Sequence, residues 1–148
     1  MKRIFSLFFL RMLPANRMAK NRYYPRLQYY ENLLSKYQNI QSYYNLLTGA
    51  IKRESVRTPT QIAFYDNFPF GSSPQEIKRT LGKPNYQIRV NSEFQNLIFF
   101  YRLTIADFRV KCELHFQQNQ LFHFNYTFSH LNPGDKKKIH ETIHHKYM

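Results

Sequence analysis

Cysteine occurs once, at Cys112, so no internal disulfide can brace this chain and no cluster of thiolates can hold a metal. Tryptophan is missing. The four glycines build no phosphate-cradling loop, because Gly71 and Gly82 stand at turns and Gly49 and Gly134 at helix ends. The most apolar stretch, residues 4–13, falls well short of the roughly 20 residues that a membrane-spanning helix needs. Acid is scarce: 9 Asp and Glu stand against 22 Lys and Arg, a formal charge of +13. A field of that sign draws nucleic acid, anionic lipid or acidic protein, whatever fold lies beneath it. No Ser-His-Asp order and no paired-carboxylate cluster is identifiable, so the chain reads as non-catalytic, with no cofactor and no small-molecule substrate implied.

What is present is ring surface and segregated charge. The 148 residues include 14 Phe and 12 Tyr, far more apolar area than a disordered chain carries, and a chain this long buries roughly 70% of the surface its unfolded form exposes. The positive charge gathers at one end: residues 1–60 hold 11 basic and 2 acidic residues. Within the first 26, Lys2, Arg3, Arg11, Arg17, Lys20, Arg22 and Arg26 meet no acid at all.

That segregation predicts a basic amphipathic arm over residues 1–25. Phe5, Phe8, Phe9, Met12 and Leu13 can enter a headgroup boundary while Lys2, Arg3, Arg11 and Arg17 meet anionic lipid, with Pro14 ending the helix. The same apolar face could instead pack on the protein's own core or on a partner, and a secretory signal peptide or a mitochondrial presequence fits parts of the pattern. The localisation implied is cytoplasmic or peripheral to a membrane, with those two targeting readings left open. Next, Lys20-Asn21-Arg22-Tyr23-Tyr24-Pro25-Arg26 sets cations beside rings, as binders of single-stranded nucleic acid do, although a solvated linker between two helices is the simpler account and the one favoured by the general abundance of Tyr.

From Arg26 the spacing predicts one helix, within residues 26–51. Tyr30, Leu33, Tyr37, Ile40, Tyr44 and Leu47 follow at steps of three and four and draw a single apolar stripe for packing on a core. The polar stretch 52–60 reads as a loop, and residues 61–148 as an α+β domain of the same single-domain protein. There, Ser73-Pro74-Gln75-Glu76 is a capped helix start that Gly82 and Pro84 close after about two turns. A small antiparallel sheet of three to four strands follows, and a C-terminal helix starts at Asn132-Pro133.

Phe108, Val110, Cys112, Leu114 and Phe116 alternate with Arg109, Lys111, Glu113 and His115, which predicts a sheet with one wet face. On the partner strand Phe122, Phe124, Tyr126 and Phe128 point inward. Setting Phe116 opposite Phe122 brings His115 opposite His123, an arrangement with two metal-capable rings but no third ligand.

The run Gly71-Ser72-Ser73-Pro74-Gln75-Glu76-Ile77, then Leu81-Gly82-Lys83-Pro84, then strands ending in Phe99-Phe100-Tyr101, resembles the helix-to-sheet module of the SmpA/OmlA lipoproteins and beta-lactamase-inhibitor-like domains. It covers residues 70–130. The resemblance implies a non-catalytic domain used for protein contact or assembly at envelopes. The chain departs from the lipoproteins in having no lipobox cysteine near its N-terminus, so lipid anchoring does not carry over.

His140-Glu141-Thr142-Ile143-His144 matches H-E-x-x-H, where helical spacing puts His140 and His144 on one face for zinc and a carboxylate beside them as base. Only four residues follow His144, and no third ligand is among them in the metalloprotease pattern. The reading of the whole is a binding or scaffolding protein. Its basic arm attaches to an anionic membrane surface or acidic protein, and its sheet domain contacts protein. The alternatives are a nucleic-acid binder using Arg22, Tyr23, Tyr24, Arg26, Lys52, Arg53 and Arg57, and, more remotely, a zinc-dependent hydrolase.

Overall fold

The computed structural model describes residues 26–51, 57–90 and 96–148. The chain is α+β, as expected: α1 (Arg26–Tyr37), α2 (Ile40–Ile51), β1 (Ala63–Phe64), β2 (Phe68–Pro69), α3 (Pro74–Leu81), β3 (Tyr86–Arg89), β4 (Leu97–Ile105), β5 (Phe108–Gln117), β6 (Gln120–Phe128) and α4 (Pro133–Tyr147). Strands β3 to β6 form an antiparallel meander in chain order, and β1 and β2 a separate small hairpin.

The single helix predicted over 26–51 is two. Gln38 and Asn39 interrupt it: the Gln38 amide closes α1 on the Leu34 carbonyl at 3.0 Å, and the Asn39 side-chain oxygen accepts from the Gln41 amide at 2.9 Å to start α2. An Asn that offers its side chain to the backbone competes with helix continuation, which is why the chain turns here. The turn also rewrites the stripe. Tyr30, Leu33 and Tyr37 face the sheet, but in α2 Tyr43 and Leu46 take the inner positions while Ile40 and Tyr44 are exposed.

Short helix α3 is built from its caps. Ser73 Oγ accepts from the Glu76 amide at 3.3 Å, Glu76 Oε2 accepts from the Ser73 amide at 2.6 Å, and Gly82 ends the helix at φ 79°, a left-handed angle that suits glycine. Helix α4 repeats the device with Asn132 and Asp135, whose side chains and amides bond reciprocally at 2.8 and 3.0 Å. The loop entering α3 is tied to β6, the Gly71 amide donating to the Leu121 carbonyl and the Leu121 amide to the Ser72 carbonyl.

Both faces of the sheet are covered. Against one, Phe64, Phe68 and Ile77 from the small hairpin and α3 pack on Phe99, Tyr101, Val110, Cys112, Leu114, Phe116 and Leu121. Against the other, Tyr30 and Tyr37 of α1 pack on Ile88, Val90, Ile98 and Phe100, with Tyr43 and Leu46 of α2 alongside. The predicted wet face is therefore corrected: Arg109 is exposed and Lys111 half-buried, but Glu113, His115 and His123 lie under the helix pair. The register is corrected too. A bulge between His115 and Phe116 sets Phe116 opposite Leu121, leaving Phe122 39% exposed, while His115 does stand opposite His123.

Candidate functional site

The densest gathering of ionisable side chains in the described interior lies where α1 and α2 cross β5 and β6. Strand alternation sends Glu113 and His115 toward the helices, and the ends of α1 and α2 bring Tyr37 and Tyr43 over them. Tyr37 donates its hydroxyl hydrogen to Glu113 Oε2 at 2.6 Å, and Lys36 Nζ donates to the Tyr37 oxygen at 3.1 Å, so a relay runs from the surface to the buried carboxylate. The Tyr43 hydroxyl meets His115 Nδ1 at 2.8 Å. His115 Nε2 faces Glu113 Oε2 at 3.6 Å, beyond a hydrogen bond, and has no hydrogen-bond partner of its own. The rings of His115 and His123 stack with centroids 4.9 Å apart.

Burial and charge set the protonation states. Burial pushes the Glu113 carboxyl up, but His115, the Tyr37 hydrogen bond and Lys36 together outweigh it and hold the group below its ordinary value, hence anionic. Burial drives His115 down against the pull of Glu113, and drives His123 down to about 3 with help from His115, so both rings are neutral at pH 7. We assign His115 the Nε2–H tautomer, with that hydrogen turned to the carboxylate and Nδ1 accepting from Tyr43. Burial also raises the Tyr37 and Tyr43 phenols, which stay protonated.

Such a set has acid-base chemistry in its residue types, and the His115 side chain is wholly buried. Its physical effect is to fasten two helices to a sheet. No family model, curated protein or solved structure matches this chain.

A second place is a shallow depression lined by Tyr29, Tyr30, Asn85, Phe100, Arg102 and Lys111, with about 10 Å³ of free space, about what one water needs. Arg102 and Lys111 are directly opposed across β4 and β5, and Lys111 Nζ lies 4.7 Å from the centre of the Tyr29 ring. Burial, then Arg102, lower the Lys111 ammonium. Tyr30 stacks on Tyr86 at 3.9 Å.

The residues predicted as an anion- and membrane-binding arm, Lys2, Arg3, Arg11, Arg17, Lys20 and Arg22 with Phe5, Phe8, Phe9, Met12 and Leu13, lie outside the described residues. Arg26 opens α1, Lys52 and Arg53 lie outside the description, and Arg57 is exposed. His140, Glu141 and His144 fall on α4 as their spacing predicts, all exposed, with the two imidazole centroids 6.5 Å apart. Among the described residues no group of three His, Cys, Asp or Glu is placed to hold a metal.

The Tyr37, Tyr43, Glu113, His115 and His123 cluster was not visible as a unit in the sequence. One signal pointed to it. Leu97 to Leu103 is apolar on both faces, so the sheet needs cover on both sides, and the polar face of the next strand must then pass beneath a layer.

Proposed function

We propose that this is a non-catalytic binding or scaffolding protein, held by its basic arm to an anionic membrane surface or acidic partner while the sheet domain contacts protein. The observation that carries it is the segregation of seven cations and no acid in the first 26 residues, interleaved with the apolar run Phe5 to Leu13. Two further observations support it. The interior ionisable groups are spent on holding layers together, and no helix among the described residues is long and apolar enough to cross a membrane. The resemblance to SmpA/OmlA and beta-lactamase-inhibitor-like domains favours protein contact as the task of the sheet domain.

Flotation with vesicles tests the reading. The full chain should rise with phosphatidylserine-containing vesicles and not with neutral ones, less so as salt rises, and removal of residues 1–25 should abolish most of that flotation. Equal flotation of the shortened chain would sink the role of the arm. A second reading, nucleic-acid binding, is favoured by one feature of the fold: Lys111 and Arg102 beside the Tyr29, Tyr30 and Tyr86 rings, the cation-and-ring pattern that grips phosphates and bases. It predicts the complementary result, no flotation by either chain and a steeply salt-dependent affinity for single-stranded RNA.

A further inference from the structure

Helix α2 presents to solvent a face that its amino acids do not suit. Ile40 is 53% exposed, Tyr44 59% and Ile51 79%, and their spacing of four and seven residues puts all three on one side of the helix. The opposite side is anchored, with Tyr43 and Leu46 packed against the sheet and the Tyr43 hydroxyl bonded to His115. The helix has no charged residue along its twelve positions, in a chain with 31 charged residues; the exposed Gln41 and Asn45, bonded to each other at 3.0 Å, border the apolar side without adding charge to it. Directly after it the chain runs Lys52-Arg53-Glu54-Ser55-Val56-Arg57, three cations against one acid.

An uncharged, half-apolar helix side with cations at one end and a tyrosine in its middle has the amphipathic make-up of a helix lying in the headgroup layer. Aliphatic side chains reach the acyl boundary, the tyrosine keeps its hydroxyl among the headgroups, and the basic run meets anionic lipid. We infer that the Ile40, Tyr44 and Ile51 face of α2 is a lipid-contact surface for anionic bilayers, lying in the interfacial plane. The inference rests on the membrane form of the function proposed above and adds a second site to it. The charge complementarity selects the occupant: a second copy of this chain would bring like-charged basic runs together, whereas an anionic bilayer neutralises them.

The absence of tryptophan makes the test direct, because Tyr44→Trp in the full chain places a single indole reporter on the face in question. With vesicles of phosphatidylcholine and phosphatidylserine its emission should move to shorter wavelength and be quenched by brominated acyl chains. Neutral vesicles should leave it unchanged at physiological salt. The double variant Ile40→Ser with Ile51→Ser, both at exposed positions, should keep the native circular dichroism and lose at least about tenfold in vesicle partitioning. Flotation of the full chain with no emission change and no loss in the double variant overturns the α2 contact and leaves attachment to the arm. Failure of the full chain to float at all removes the membrane reading together with this site. An emission shift that needs protein concentration instead of lipid, with a dimer on gel filtration, would show a second copy on this face and also overturn it.

Discussion

Glu113 is held as an anion in the interior by three neighbours, and each restricts what the site tolerates. The Tyr37 hydroxyl supplies the short bond at 2.6 Å, Lys36 acts through that hydroxyl from the surface, and His115 stands 3.6 Å away with its unbonded Nε2. An ionised carboxylate in such a place is tolerable only while its partners remain. Tyr37→Phe removes one hydroxyl and almost no packing, leaving the carboxylate short of its best donor. We expect it to cost about 1–3 kcal/mol, measured by urea unfolding with an unchanged m-value. No loss would mean that the Tyr37 bond is not made in solution. None of this was legible from single positions: Glu113 and His115 alternate with apolar neighbours as solvent-facing residues do, and only the layer above them makes them interior.

Elements in this chain are specified unequally. Helices α3 and α4 are written out by their caps, Ser73 with Glu76 and Asn132 with Asp135, and both begin where those residues direct. The α1–α2 break is not written so plainly, because a period of three and four continues through Gln38-Asn39 without a proline or glycine, and the Asn39 cap decides it. The β4–β5 hairpin turns on Ala106 and Asp107 at φ 46° and 70°, two left-handed residues in a two-residue connection. Asp is tolerated there. Ala pays a steric penalty at such an angle, so Ala106→Gly should stabilise the fold by about 0.5–1 kcal/mol, seen as a higher urea midpoint. A lower midpoint would show that the chain entropy of glycine outweighs the relief of strain.

Across the whole molecule the buried histidines couple folding to pH. His115 and His123 both titrate below their ordinary value when folded, so the unfolded chain takes up protons near pH 6.5 that the native one refuses. Their stabilising contribution is complete above pH 6.5 and is lost as pH falls toward the folded values. Glu113, also lowered, acts in the same direction at more acidic pH. With its folded value near 3, His123 alone should cost about 2 kcal/mol between pH 7 and pH 5, and His115 adds to that. Thermal melts over that range should show a falling Tm, and His123→Gln should flatten the slope. A Tm independent of pH between 7 and 5 would contradict neutral burial of these rings. The chain carries a basic excess of +13 overall, and Glu113 in its interior is held by the Tyr37 hydroxyl.

The sequence alone determined the class of the fold, the two capped helices, the apolar sides of β4 and β5, the opposition of His115 and His123, and the gathering of positive charge toward one end. These follow from local geometry: caps act within one turn, and strand alternation has a period of two whatever lies above it. Tertiary structure decided which polar residues are buried, where the long helix breaks, and which apolar residues of α2 stay in water. A side chain is wet or dry according to what packs on it, and that layer is contributed by residues some 70 positions away, as Tyr37 over Glu113 shows. The same periodic stripe is core in α1 and surface in α2 because one Asn between them rotates the second helix against the sheet.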